Sequence, residues 1–138
     1  SSWLAGAAMS CGIVAEPAAG RVTWGVVAPS DRGGGAWTHD GSTQTVHVSG
    51  WREGPVRLAG SLHHRSPWDA EVVALLGAAE TDVRRVGSTG VKMAMVSRGE
   101  VDAYVHANRG TKLWDSAAPH AIVRAAGGEV TDCTGAAI

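Results

Sequence analysis

The chain has 138 residues, 44% of them hydrophobic and 18% charged, with a formal net charge of −1. That balance suits one globular core and excludes intrinsic disorder. The near-neutral charge supplies no field to draw the protein onto nucleic acid or an anionic membrane, and no run of about 18 apolar residues marks a transmembrane helix.

The first fifty residues, in chain order, read as an antiparallel meander. Residues 9–15 and 21–28 are two β-prone runs joined by the turn Glu16-Pro17-Ala18-Ala19-Gly20. Residues 34–38 and 44–49 form a second pair across His39-Asp40-Gly41-Ser42, where Asp-Gly tolerates the positive φ that a tight hairpin requires. The apolar opening, SSWLAGAAMSCGIVA, has no basic leader and is read as structural, not as a signal peptide. Cys11 and Cys133 lie far apart without metal-ligand spacing. They are expected to be free, buried or partly buried thiols in a reducing, cytoplasmic setting.

After Pro55 the pattern changes. A short apolar strand at 56–60 precedes a helix expected to start at Ser66 as N-cap with Pro67 in the first turn. Trp68, Val72, Leu75, Leu76 and Ala79 then recur at helical spacing and predict one buried face. A strand at 83–86 leads through Gly87-Ser88-Thr89-Gly90 into a helix over 91–98 that Gly99 stops. A strand at 102–107, a helix over 116–126 closed by Gly127-Gly128, and a strand at 129–132 complete the chain. Strands alternating with helices predict an α/β layered unit over 56–138, following the meander of 1–55.

Three segments carry residues able to do chemistry. The small residues of Gly87-Ser88-Thr89-Gly90 let a strand turn tightly into a helix whose first N–H groups suit an anion, and Lys92 adds a positive charge nearby. The segment is not a P-loop, since GxxxxGK[ST] is absent. In Trp114-Asp115-Ser116-Ala117-Ala118-Pro119, Asp115 stands just ahead of the predicted helix, where it either caps the N-terminus or offers a carboxylate to a metal. The third segment, His63-His64-Arg65, follows a strand's carboxyl end, the place where open α/β sheets bind ligands. No HxxxH or HExxH spacing supports a zinc site. Asp40 and Asp132 fall at turns, where short acids bond their own backbone.

Four segments taken in order resemble the inositol monophosphatase superfamily. They are Val86-Gly87-Ser88-Thr89-Gly90-Val91-Lys92, Arg98-Gly99-Glu100-Val101-Asp102-Ala103-Tyr104, Trp114-Asp115-Ser116-Ala117-Ala118-Pro119 and Ala126-Gly127-Gly128-Glu129-Val130-Thr131-Asp132. Trp-Asp-x-Ala-Ala-Pro with an Ala-Gly-Gly ending is that superfamily's C-terminal signature. Within it, the Ser61-Leu62-His63-His64 stretch looks most like the 3'(2'),5'-bisphosphate nucleotidases. The similarity covers about 56–138, with a looser fit of the meander.

The resemblance implies a layered α-β-α-β-α sandwich of the sugar-phosphatase type, here mostly its C-terminal half plus an antiparallel meander. It implies a Mg²⁺-dependent phosphatase acting on a small phosphorylated nucleotide such as adenosine 3',5'-bisphosphate. Asp115 would be a metal ligand and catalytic residue close to the substrate, with Ser61, His64, Ser88 and Lys92 contacting the nucleotide. The chain departs from the family pattern at Ser88, where the family usually has Gly, and at Leu62-His63-His64, where it usually has Arg-Ser-His. The family's other metal ligands lie in a Glu-Glu element and an Asp-Pro-x-Asp-Gly-Thr motif, and neither is in this sequence. One carboxylate does not hold the Mg²⁺ ions that such hydrolysis needs. The readings are therefore a phosphatase whose other ligands lie outside this sequence, with inositol or sugar phosphates as alternative substrates, a non-catalytic nucleotide-binding or interaction module, and an enzyme with rewired chemistry using His64, His106 or His120. An exposed apolar face would favour a homodimer.

Overall fold

The computed structural model describes residues 11–28, 34–63, 67–78, 82–106 and 113–138, with the backbone alone for 113–116. The meander forms as expected. Strands β1 (Cys11–Glu16), β2 (Arg21–Val26), β3 (Gly35–His39) and β4 (Thr43–Val46) make one antiparallel sheet in sequence order. A short 3-10 turn over Pro17–Ala19 joins the first two, closed by Gly20 at φ 60°. Gly41, at φ 111°, makes the predicted hairpin between β3 and β4.

Side chains alternate across this sheet as the pleat requires. Val14, Thr23, Ala36, Thr38 and Val46 face inward and are buried. Trp24 and Trp37, direct cross-strand partners, stack with ring centroids 6.2 Å apart. The inner face is built of small residues, so a helix can approach it closely. A Cβ on Gly12 would fall on the carbonyl oxygen of Ala118, and one on Gly25 would stand 2.8 Å from the Ala125 Cβ.

The second sheet is parallel, in the order β6-β5-β7, with β5 at Leu58–Ser61, β6 at Val83–Val86 and β7 at Ala103–Tyr104. Helix α1 (Asp69–Leu75) connects β5 to β6, and α2 (Thr89–Ser97) connects β6 to β7. Helix α3 (Leu113–Ala125) follows. Successive residues of β6 point to opposite faces. Val83 and Arg85 turn toward Val72 and Val73 of α1, whereas Val86 joins Ala59, Val91 and Met95 on the α2 side. The layers run meander sheet, α2–α3 pair, parallel sheet, α1, which is an α/β sandwich. Val14, Ala36 and Val46 of the meander share one core cluster with Ala94 of α2 and Ile122 and Ala126 at the end of α3.

A buried ion cluster fastens the helix layer to the meander. Arg98, its side chain only 5% exposed, pairs with Glu16 at 2.7 Å and Glu100 at 3.0 Å, and donates to the Thr23 hydroxyl at 2.9 Å. Arg21 reaches the same Glu100 carboxylate at 2.9 Å. Burial alone would raise the Glu100 pKa, but the hydrogen bond from Arg98 and the charges of Arg98, Arg21 and Arg84 outweigh it and hold the carboxyl below its usual range. A second tie centres on Asp102, which accepts from the Ser49 hydroxyl at 2.6 Å, the Arg57 backbone N–H at 2.7 Å and the Arg57 guanidinium at 2.9 Å.

Several expectations require correction. Helix α1 begins at Asp69, preceded by Trp68 without a side-chain cap, and Ser66 lies outside the described residues. The predicted face is not buried: Trp68 is 59% and Leu75 85% exposed, Val72 and Val73 line the cavity beside β6, and Ala79 lies outside the described residues. Helix α3 starts at Leu113, so Asp115 is its third residue and not a cap, and Pro119 sits inside the helix, not in its first turn. The strand expected at 102–107 is reduced to β7, with the Asp102 and Ala103 N–H groups both on the Arg57 carbonyl and residue 107 outside the described residues. Instead of a strand at 129–132 there is one bridge, Thr131 to Ala137, around a turn in which Asp132 accepts from Thr134 and Ala136. Cys11 and Cys133 are free but exposed, not buried.

Candidate functional site

In the parallel register Ser61 lies opposite Val86, so β5 and β6 end side by side and the chain turns from β6 into α2 at that edge. The turn is made at Ser88, whose φ of 67° and ψ of 122° give the one positive φ outside glycine among the described residues. This backbone is one that glycine adopts most readily, matching the residue the family usually has there. Ser88 nevertheless caps α2, its hydroxyl accepting from the Val91 N–H at 3.4 Å.

Lys92 follows in the first turn of α2 and is 3% exposed. Its ammonium donates to the Ser61 hydroxyl at 3.2 Å and the Val86 carbonyl at 3.4 Å, and lies 5.0 Å from the centre of the Tyr104 ring. Burial lowers the Lys92 pKa from its ordinary value. The ammonium and the N–H groups opening α2 thus stand together behind the carboxyl ends of β5 and β6, an arrangement suited to an anion.

In front of Ser61 is a cavity between α1 and the sheet, lined by Gly60, Ser61, Asp69, Val73, Arg85 and His106 among others. Arg85 pairs with Asp69 at 3.3 Å. The cavity combines apolar walls with hydrogen-bonding groups at one end, as small-molecule sites do.

Of the residues singled out from the sequence, Ser61 and Lys92 are in contact, and Ser88 is joined to Lys92 by a backbone hydrogen bond of 3.3 Å. Asp115 is carried on the backbone of α3, one turn before Pro119. The Pro119 ring stands 3.6 Å from where a Cβ on Gly90 would be, so this part of α3 meets the start of α2. His64 lies outside the described residues. Among the described residues no three His, Cys, Asp or Glu side chains converge as a metal would need. The described residues do not by themselves fit a Mg²⁺ centre. Tyr104 was not picked out from the sequence, although it is the chain's one tyrosine and closes the stretch Arg98 to Tyr104.

The profile of the inositol monophosphatase family matches residues 6–137. The chain belongs to the inositol monophosphatase family. Its similarity to curated members is local: it is 45% identical over 56 residues to 3'(2'),5'-bisphosphate nucleotidase 1 of Mus musculus, covering 41% of this chain and 18% of that protein. It is 47% identical over 66 residues to inositol-1-monophosphatase ImpA of Mycolicibacterium smegmatis, covering 48% and 23%. The structure of Mycobacterium tuberculosis SuhB superposes with a TM-score of 0.68 at 30% identity, covering 91% of this chain and 50% of that one. The chain thus spans about half the length of that solved family member. No helix among the described residues is long and apolar enough to cross a membrane.

Proposed function

We propose that this chain forms part of a Mg²⁺-dependent phosphatase that hydrolyses a phosphomonoester of a small nucleotide such as adenosine 3',5'-bisphosphate. The observation that carries the reading is the contact of Lys92 with Ser61 at the strand ends, beside the turn at Ser88, in a chain of this family. In this reading Ser61, Ser88, Lys92 and His64 bind the nucleotide, and Asp115 is the catalytic carboxylate and a metal ligand. The remaining acidic ligands must then come from outside the described residues, since these hold no metal cluster. The ligand is a small molecule, with no nucleic acid or membrane partner.

A second reading, an inositol phosphate as substrate, is favoured by the 66-residue similarity to ImpA. Phosphate release from adenosine 3',5'-bisphosphate and from inositol 1-phosphate, measured side by side with Mg²⁺, separates the two. The nucleotide reading expects the higher kcat/KM with the bisphosphate. Preference for inositol phosphate would replace it with the second reading, and turnover of neither would overturn both.

A further inference from the structure

Tyr104 stands at the crossing of the contacts that shape this site. Its ring lies under the Lys92 ammonium at 5.0 Å, and its hydroxyl is 2.9 Å from Nδ1 of His106. Two of the cavity-lining groups are thereby tied to one residue. His106 is held directly, and Ser61 is held through Lys92.

The chemistry of these bonds fixes which way the hydrogens point. An ammonium has donors and no acceptor, so Ser61 Oγ must accept from Lys92 and its own O–H is left to donate elsewhere. Burial pushes the Tyr104 pKa up, and the phenol therefore keeps its proton. A phenol that donates to His106 Nδ1 leaves the ring's own N–H on Nε2. His106 and the Lys92 ammonium beside Ser61 are then hydrogen-bond donors, the polarity an anionic phosphate oxygen requires.

We propose that Tyr104 is a positioning residue of this site: its ring holds the Lys92 ammonium against Ser61 at the strand ends, and its hydroxyl holds His106 at the cavity as an Nε2–H donor. The proposal rests on the phosphatase reading for the identity of the ligand, but the orientation itself is readable without any ligand.

The ring and the hydroxyl are separated by two variants, Tyr104→Phe and Tyr104→Leu, compared with the native protein. ¹H–¹⁵N NMR of the ligand-free protein is expected to show His106 as the Nε2–H tautomer in the native form, with that preference lost in both variants. The Lys92 side-chain protons should carry an upfield ring-current shift in the native and Phe forms and lose it in the Leu form. With adenosine 3',5'-bisphosphate, Tyr104→Phe should raise KM roughly three- to tenfold, the range of one net hydrogen bond, while kcat changes little. Tyr104→Leu should raise it further. Unchanged His106 and Lys92 signals in both variants would overturn the positioning role. A native protein that shows the expected signals but no turnover would instead fault the phosphatase reading and leave the orientation standing.

Discussion

Replacing Asp102 by Asn tests how the strand that carries Tyr104 is held. The carboxylate lies two residues before Tyr104 and its side chain is 5% exposed. Burial would raise its pKa, but the hydrogen bonds from Arg57 and Ser49 and the Arg57 charge outweigh that and bring it from the ordinary 3.8 to about 2. At roughly 1.4 kcal/mol per tenfold change in proton affinity, this preference for the ionised form is worth about 2 kcal/mol of folding stability. Because the folded-state pKa is depressed, that stability is present above the unfolded value of about 4 and is lost as the pH falls through about 2. An Asn side chain keeps the shape but turns an N–H₂ toward donors on Arg57 or Ser49, so the variant loses about 2 kcal/mol at pH 7. Urea unfolding of native and Asp102→Asn protein between pH 2 and pH 7 reads this directly. The stability difference should shrink toward zero on acidification, because only the native protein has this carboxylate to protonate. A difference that stays constant across the range would refute the reasoning.

Three further substitutions probe the scaffold. Arg98→Ala leaves Glu16 without its partner and Glu100 to Arg21, and should cost about 1–3 kcal/mol in chemical denaturation; a loss below about 0.5 kcal/mol would mean the cluster does not fasten the layers. Gly25→Ala places a methyl 2.9 Å from the Ile122 Cα and 2.8 Å from the Ala125 Cβ, so α3 must shift. A loss of about 1–3 kcal/mol is expected, read as a lower unfolding midpoint. Ser88→Gly relieves the positive φ, worth about 1 kcal/mol, against a few tenths for the lost cap; its melting temperature should rise, and a fall would show that the hydroxyl matters more than the backbone.

The parts of the fold that were legible in the sequence are those that local chemistry decides. Gly20, the Asp40-Gly41 turn and Gly99 placed the ends of β1, β3 and α2 because positive φ is a property of single residues. The strand at 83–86 fell where expected because it is short and bounded by turns. Helix α3 was misplaced because Asp115 with Pro119 four residues on imitates a cap and first turn. Inside the helix, Pro119 denies the Asp115 carbonyl its usual i+4 donor, a cost the sequence pattern does not reveal. The exposed Trp68 and Leu75 show the limit of periodicity: spacing gives a face, but what covers that face depends on tertiary neighbours. Lys92 was legible as a charge beside a Gly-rich turn and Ser61 through the family resemblance; they lie 31 residues apart, and their contact came from the parallel register of β5 and β6. Asp102 and Tyr104 stood within a family segment but their roles, like that of Arg57, were not legible, because they come from bonds between side chains that the fold brings together.

The most direct test of the proposed activity is phosphate release from adenosine 3',5'-bisphosphate across a Mg²⁺ titration, run on native protein and on Asp115→Asn with matched circular dichroism and melting curves. The account predicts release that requires Mg²⁺, stops on chelation and is abolished in the folded Asp115→Asn protein. Release that persists without Mg²⁺, or full activity in Asp115→Asn, would contradict it.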